Sequence, residues 1–208
     1  MTTRIPTDAP ALHAVEVGGM TRSSFILRGA LAAGALFGAS AATPLVSRAL
    51  AQAGDIEVLN FALTLEYLEA DFYTAARELP LREELAALAA EFGEHERQHV
   101  DALTATITGL EGEPAKRPPF EFALQSEADF LRLAVMLEDT GVAAYNGAAP
   151  RLESKAVLAA AGGIVQVEAR HAGEIRRLAG KDPAPAAFDR ALSTQEVQAA
   201  IEPLIRTS

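Results

Sequence analysis

Cysteine is absent from the 208 residues of this sequence. Without thiols the chain can form no disulfide, no iron–sulfur cluster and no thiolate zinc site. Basic residues are also few: 18 Lys and Arg stand against 28 Asp and Glu, giving a formal net charge of −10. This charge, with no basic stripe, disfavours nucleic acid as a partner. β-Branched residues are sparse, whereas Ala, Leu and Glu are abundant, which predicts a helical protein.

The first 51 residues have the composition of an export signal. Arg22 and Arg28 precede an uncharged Ala/Gly/Leu stretch over 29–47, and "ALA" at 49–51 is a small-x-small cleavage pattern. We predict a signal peptide and N-terminal extension over 1–51 and a periplasmic or extracellular location. "TRSSFILR" is similar to a twin-arginine motif in which Ser23 replaces the second Arg, so Sec export stays open. About 18 uncharged residues are also just enough for a membrane anchor if the leader is not cleaved.

Apolar residues recur three and four positions apart in four long segments, which indicates amphipathic helices. Prolines and turn residues bound the predicted helices, which cover 55–78, 82–110, 126–149 and 152–179. Farther on, Ser193 and Glu196 form a capping box that begins a short fifth helix. We therefore predict a four-helix bundle over 52–180, then a linker and short C-terminal helix over 181–208.

The lengths of the connections predict the topology. Short turns join the first helix to the second and the third to the fourth, so each pair forms an antiparallel hairpin. The proline-rich link between the second and third helices has about 15 residues, which reach about 50 Å when extended. A helix of about 27 residues is about 40 Å long. The link can therefore run the length of the bundle, and we expect an up-down-down-up bundle whose second and third helices are parallel neighbours.

A repeat of Glu and His relates the two predicted hairpins. In each half, a Glu is followed 30 residues later by a second Glu and three residues after that by a His. The two sets are offset by 72 residues, and Tyr73 and Tyr145 have the same offset. The residues of the repeat are Glu66, Glu96, His99, Glu138, Glu168 and His171. They lie near mid-height on the apolar stripes, so we expect them to converge on the bundle axis.

Four carboxylates buried together would repel each other, and burial alone disfavours each charge. Two divalent cations would neutralise them. One Glu from each of two helices, with Glu-x-x-His from the other two, is the ligand set of di-iron and di-manganese bundles. Oxygen-rich ligation with one imidazole per ion favours iron or manganese. We predict two such ions held by these six residues, with Glu96 and Glu168 as bridging carboxylates.

Residues beside the repeat are further candidates. Tyr73 lies two turns from Glu66 on the same face and is the candidate catalytic residue, because it can hydrogen-bond a ligand carboxylate or donate an electron. A plain core tyrosine is the alternative. Glu69 can also reach the site by helical geometry alone. Glu94 and His95 point off the face of the ligands and are expected at the surface.

These motifs resemble those of the ferritin-like superfamily over about residues 55–180. "LNFALTLEYLEADFY" is similar to the first helix of bacterioferritins, and "EHERQHVDAL" to the second, while "LEDTG" and "VEARH" match the third and fourth. With the leader, the first motif looks most like exported bacterial ferritin-like domain proteins. The resemblance implies a ferritin-like four-helix bundle with one long crossover. Bacterioferritins bind haem through a Met just after the second-helix Glu, but Arg97 stands there, so no haem is expected.

The resemblance and the ligand pattern together imply a di-metal oxidoreductase that oxidises Fe²⁺ or removes peroxide, with O₂ or peroxide as its partner. The alternative is a non-enzymatic stress or envelope protein whose metal site is structural or a relic. A metal-sequestering protein is a third hypothesis. Self-association through the bundle faces stays open, and membrane attachment would need an uncleaved leader.

Overall fold

The computed structural model describes residues 42–206, with side chains described from residue 51 onward. The α-helices in this part of the chain are α1 over Ala42–Ala76, α2 over Glu83–Gly109, α3 over Glu127–Ala148, α4 over Lys155–Leu178 and α5 over Thr194–Ile201. No strand forms among the described residues, apart from an isolated bridge between Phe120 and Ile205. The all-α prediction is confirmed.

Helix α1 begins at Ala42, well before the predicted start at 55. The segment before 55 is rich in Ala and Leu, which are strong helix formers. The helix therefore continues through residues 51 and 52, where signal-peptide cleavage is predicted. The motif of Arg22, Ser23 and Arg28, with most of the uncharged stretch, lies outside the described residues. None of the helices in the described part is both long and apolar enough to cross a bilayer.

Serine side chains fix where three of the helices begin. Ser126 accepts a hydrogen bond from the amide of Asp129 at 3.2 Å, and Ser154 caps α4 in the same way. At α5, Ser193 and Glu196 form the reciprocal capping box, so that sequence prediction is confirmed. Each cap satisfies an amide that has no partner inside the first turn of its helix.

Contacts at the helix ends establish the directions. The amide of Arg82, before α2, donates to Glu127 at the start of α3 at 3.0 Å, so these two helices begin at one end of the bundle. At the other end, the carboxylate of Asp55 accepts from the amides of Glu153 and Ser154, before α4, at 2.8 and 3.0 Å. Helices α1 and α4 therefore run one way and α2 and α3 the other, which is the predicted up-down-down-up order.

The lateral arrangement differs from the prediction. Helix α1 packs along α2, and α3 packs along α4, as expected. The two hairpins meet mainly through α1 against α3 and α2 against α4. Helices α2 and α3 thus lie across a diagonal, and the expectation that they are neighbours is wrong. The reason is the path of the crossover. It passes along α1, so that α3 lies on the side of α1 opposite to α2.

The crossover is held to α1 by contacts along its length. Near its start, Asn60 hydrogen-bonds the crossover backbone at 3.1 and 2.6 Å. Farther along, Arg117 forms an ion pair with Asp71 at 2.6 Å. Phe122 then packs edge-on against Phe72, with ring centroids 5.7 Å apart. These contacts anchor a segment that has no regular structure of its own.

Two apolar clusters fill the bundle. One contains Phe72, Phe92, Phe130 and Ile175, and Val197 of α5 packs into it. The other contains residues nearer the start of α1 and the end of α2, such as Leu63 and Ile107. The Glu and His residues of the repeat lie between the two clusters along the helices, so the polar centre is closed off at both ends by apolar side chains.

Candidate metal centre

The structure brings all six residues of the repeat into one buried group. Each of the four helices of the bundle contributes, because the repeat places a Glu on α1 and α3 and a Glu-x-x-His on α2 and α4. All four carboxylates are 0% exposed, and the two imidazoles are 8% and 2% exposed, for Glu66, Glu96, Glu138, Glu168, His99 and His171. The convergence expected from the sequence is therefore found.

One half of the group surrounds His99. Its Nδ1 lies 3.1 Å from Oε2 of Glu66, 2.9 Å from Oε2 of Glu96 and 3.0 Å from Oε1 of Glu168. These four residues each bring one ligand atom within 4.8 Å of the others. Three carboxylates and one imidazole from three helices thus point at a common volume.

The other half surrounds His171 and shares a carboxylate with the first. Nδ1 of His171 lies 3.0 Å from Oε1 of Glu96 and 3.5 Å from Oε2 of Glu138. Glu96 therefore turns one oxygen toward each histidine. Glu168 is also within reach of both halves, since a further group of ligand atoms joins it to Glu138 and Glu69. This placement is what a pair of bridging carboxylates requires.

Several of these polar atoms make no hydrogen bond despite being close together. Among the described residues they are Oε1 of Glu96, Oε2 of Glu138, both carboxylate oxygens of Glu168 and Nδ1 of His171. Buried polar atoms normally have a hydrogen-bond partner, so this cluster of atoms lacks partners that burial requires. Ligand atoms around one octahedral divalent ion, each about 2.1 Å from it, lie about 3 Å apart, as the imidazole and carboxylate atoms do here. The residues present therefore fit a pair of metal ions, and the oxygen-rich donor set fits iron or manganese.

The charges in the group shift the pKa values of its members strongly. Burial raises the pKa of Glu66 to about 7, against the effect of its hydrogen bond with His99. Burial would also raise the pKa of Glu96, but its close contacts with the imidazoles of His171 and His99 outweigh it and lower that pKa to about 2. The surrounding carboxylates overcome the desolvation of the histidines and raise their pKa to about 12 for His99 and about 10 for His171. The group holds protons tightly, and a bound metal ion must displace them.

Two buried tyrosines support the carboxylates in a crossed arrangement. The hydroxyl of Tyr73 on α1 donates to Oε1 of Glu138 on α3. The hydroxyl of Tyr145 on α3 donates to Oε1 of Glu66 on α1. Burial, with the neighbouring carboxylates, raises the pKa of both tyrosines well above the usual value. They therefore stay protonated as donors, and an electron-transfer role for Tyr73 stays a prediction.

Two residues outside the repeat also lie at the centre, and helical geometry had made only one of them, Glu69, a candidate. Glu69 is 3% exposed and joins Glu138 and Glu168. His95 was expected at the surface, which is wrong: it is half buried, and its Nδ1 lies 2.9 Å from Nε2 of His171. The sequence feature that could have indicated His95 is its position four residues before His99, which places the two side chains next to each other on the surface of α2.

An open cleft between α2 and α4 reaches this side of the centre. Its volume is about 470 Å³, and its lining includes Glu91, Phe92, His95, Arg170, His171 and Glu174. His171 belongs both to the cleft and to the buried group. The cleft therefore reaches from solvent to His171, on the Glu138 side of the centre.

Comparisons with known proteins agree with this architecture. A family model described as a ferritin-like domain matches residues 54–181. A ferritin-like, diiron-carboxylate protein from Bacillus anthracis str. Ames is similar in structure, with a TM-score of 0.57 and 22% identity over 62% of this chain and 96% of that one. A conserved hypothetical protein from Mycobacterium tuberculosis is similar too, with a TM-score of 0.56 and 21% identity over 61% of this chain and 97% of that one. No curated protein matches the sequence.

Proposed function

The chain belongs to the ferritin-like domain family, and on that premise we propose that its buried centre binds two iron or manganese ions and oxidises Fe²⁺ or removes peroxide. The observation that carries the proposal is Glu96, whose two oxygens face two different histidines, His99 and His171. One carboxylate placed between two imidazoles suits a pair of ions at one centre. Two separate mononuclear sites would not share a carboxylate.

Each residue has a role in holding the pair. Glu66 and His99 would bind one ion, Glu138 and His171 the other, and Glu96 and Glu168 would contact both. The bound pair would supply one-electron redox chemistry. The chain's own contribution is to fix the carboxylates and exclude water. Tyr73 and Tyr145 donate hydrogen bonds that orient the two terminal carboxylates, and the apolar clusters close the bundle above and below.

The cleft offers a route for small substrates. Glu91 and Glu174 lie at its walls, where Glu174 is paired with Arg177, and Arg170 gives the lining a mixed charge. Fe²⁺ or peroxide entering here meets the His95–His171 pair first. The structural similarity to a diiron-carboxylate protein supports the proposal of metal binding. The proposed substrates are inferred from the chemistry of the centre alone.

The test measures metal content and turnover on the same samples. We expect about two ions per chain after reconstitution with Fe²⁺ or Mn²⁺, and Fe²⁺ oxidation or peroxide loss above the rate in buffer. Glu96→Gln should abolish both, because each ion loses a shared ligand. Glu57→Gln makes an equal charge change at the surface of α1, where it removes only an exposed ion pair with Arg151, and should change neither. Bound metal without turnover, but with a raised melting temperature, would favour the structural alternative instead.

We further propose that the protein is exported and cleaved after Ala51. The support is the sequence of the leader: Arg22 and Arg28, the uncharged stretch and the small-x-small pattern. Gln52, the first residue after the proposed cut, donates to the carbonyl of Leu110, so a chain beginning there keeps this contact of α1 with the start of the crossover. Mass spectrometry of the native protein should find an N-terminus near Gln52. An intact Met1 or Met20 in the cytoplasm would contradict export.

A further inference from the structure

The buried centre contains a fifth carboxylate beyond the four of the repeat. Glu69 lies on α1 one turn after Glu66 and is 3% exposed. A carboxylate oxygen of Glu69 lies within 4.8 Å of ligand atoms of Glu138 and Glu168. Glu69 therefore adds to the half of the centre that contains His171, and the half around His99 has no equivalent residue in its group.

The position that corresponds to Glu69 in the second hairpin is Gly141, at the same offset of 72 residues that relates the rest of the repeat. A Cβ atom at Gly141 would lie 2.9 Å from Oε1 of Glu69 and 3.4 Å from Oε2 of Glu168. Gly141 thus leaves the space on α3 that the Glu69 carboxylate occupies. The repeat is broken here in a complementary way: one half supplies a carboxylate, and the other supplies room for it.

Nothing else described in the structure explains a carboxylate at this position. No Lys or Arg within residues 51–206 forms an ion pair with Glu69, and the carboxylates of Glu138 and Glu168, both 0% exposed, lie beside it. His99 and His171 form ion pairs with Glu168 and Glu138, but no histidine among the described residues forms one with Glu69, so burial and repulsion by its two neighbours both disfavour its charged form. Both oxygens of Glu168 and Oε2 of Glu138 are also without hydrogen-bond partners. A cation between these three residues would satisfy all of them.

We propose that Glu69 is a seventh protein ligand, which binds the metal ion on the Glu138 and His171 side. This inference rests on the proposed two-metal centre and adds to it. It makes the two ions different: one has Glu66 and His99 beside the shared carboxylates, while the other has Glu138, His171 and Glu69. The ion with the additional carboxylate is also the one next to the cleft.

The substitution Glu69→Gln tests the proposal, because it removes the charge and keeps the shape. The measurement is metal affinity by chelator competition, together with the melting temperature of the metal-free protein. We expect one of the two ions to bind about tenfold or more weakly, with the other affected less. The metal-free melting temperature should stay equal or rise, since one of five repelling carboxylates has gone. Glu57→Gln is the matched control and should leave both quantities unchanged.

Each result has a distinct meaning. If the unaltered protein binds no metal, the proposed function fails and this inference fails with it. If the unaltered protein binds two ions and Glu69→Gln binds them equally well, only this inference is overturned. A clearly lower metal-free melting temperature with unchanged affinity would also overturn it, because Glu69 would then serve the fold rather than the metal.

Gly141→Ala supplies a second, independent variant. Its new methyl group would push the Glu69 carboxylate out of its place, so we expect a loss of affinity similar to that of Glu69→Gln. Adding Gly141→Ala to Glu69→Gln should then weaken binding little further, because both changes act on one contact. Additive losses would mean that the methyl group acts through Glu168 instead, and would count against the proposal.

Discussion

At the scale of single residues, His95 contacts the ring nitrogen of His171 that faces away from the carboxylates. Nδ1 of His171 faces the carboxylates, so its Nε2 must carry the proton when Nδ1 offers a lone pair. Nε2 lies 2.9 Å from Nδ1 of His95, and the two rings are parallel, with 2° between their planes. Burial, followed by the nearby His171, lowers the pKa of His95. Its neutral form can accept the hydrogen bond and hold His171 in the required tautomer and orientation.

We predict that His95→Ala weakens metal binding about 10- to 100-fold, the usual effect of removing a hydrogen-bond partner of a ligating histidine. His95→Asn should recover much of the loss, since its amide oxygen can accept from His171. Both variants lose the aromatic contact with Phe92, so their difference reports the hydrogen bond. Chelator competition measures it. Equal affinities for the Ala and Asn variants would refute the positioning role.

The repeat made the six residues that converge at the centre predictable, whereas single residues outside the repeat were less so. The same spacing of Glu and His occurs in both hairpins, so each residue of the repeat was supported by its counterpart in the other hairpin. Glu69 and His95 break the repeat: their counterparts at the 72-residue offset are Gly141 and Val167. Helical geometry brought Glu69 within reach of the centre and placed His95 off its face, and it gave no reason for the burial of either. That reason lies on the opposite helices. Gly141 has no side chain and leaves room for Glu69, and Nε2 of His171 lies within hydrogen-bond distance of His95.

At the scale of the elements, the sequence predicted the helices and their directions better than their neighbours. Prolines and capping serines marked the breaks, and the length of the crossover allowed it to reach the far end. Length alone does not decide on which side of α1 the crossover passes. That choice depends on specific contacts, such as Asn60 with the crossover backbone and Arg117 with Asp71. They place α2 and α3 on a diagonal, where α1 and α4 both separate them.

Because the repeat includes Tyr73 and Tyr145, it connects the two hairpins through hydrogen bonds between α1 and α3. Tyr73 donates to a carboxylate of α3, and Tyr145 donates to a carboxylate of α1, so each hairpin orients a carboxylate of the other. Neither hairpin alone contains all the carboxylates and imidazoles of the centre, or both tyrosine donors. The centre is therefore a property of the paired hairpins, and it links α1 to α3, where the two hairpins also pack against each other.

At the scale of the whole molecule, the centre makes the fold sensitive to pH. The apolar clusters stabilise the bundle on both sides of five buried carboxylates and two imidazoles. Without metal, the charge balance there depends on protons, and the positive charges come from His99 and His171. Folding then takes up protons, because the folded protein holds them more tightly than the unfolded chain does.

The signs of the pKa shifts predict the direction of this dependence for the metal-free protein. The pKa of His99 rises from 6.5 to about 12 and that of His171 from 6.5 to about 10 on folding. The pKa of Glu66 rises from 4.5 to about 7. Above pH 6.5 the folded state therefore binds more protons than the unfolded state, so stability falls as pH rises. Glu96, with a pKa lowered from 4.5 to about 2, has the opposite effect, but only below pH 4.5.

We accordingly expect the melting temperature, followed by circular dichroism in the presence of a chelator, to fall steadily by several degrees between about pH 6 and pH 9. Saturating Mn²⁺ should raise the melting temperature, and more so at higher pH, because fewer protons compete for the ligands. The double variant His99→Gln with His171→Gln removes the groups that titrate, and its metal-free melting temperature should depend much less on pH in this range. A metal-free melting temperature that is constant or rises between pH 6 and pH 9 would show that the histidines are not protonated in the folded protein, and that the carboxylates are neutralised in some other way.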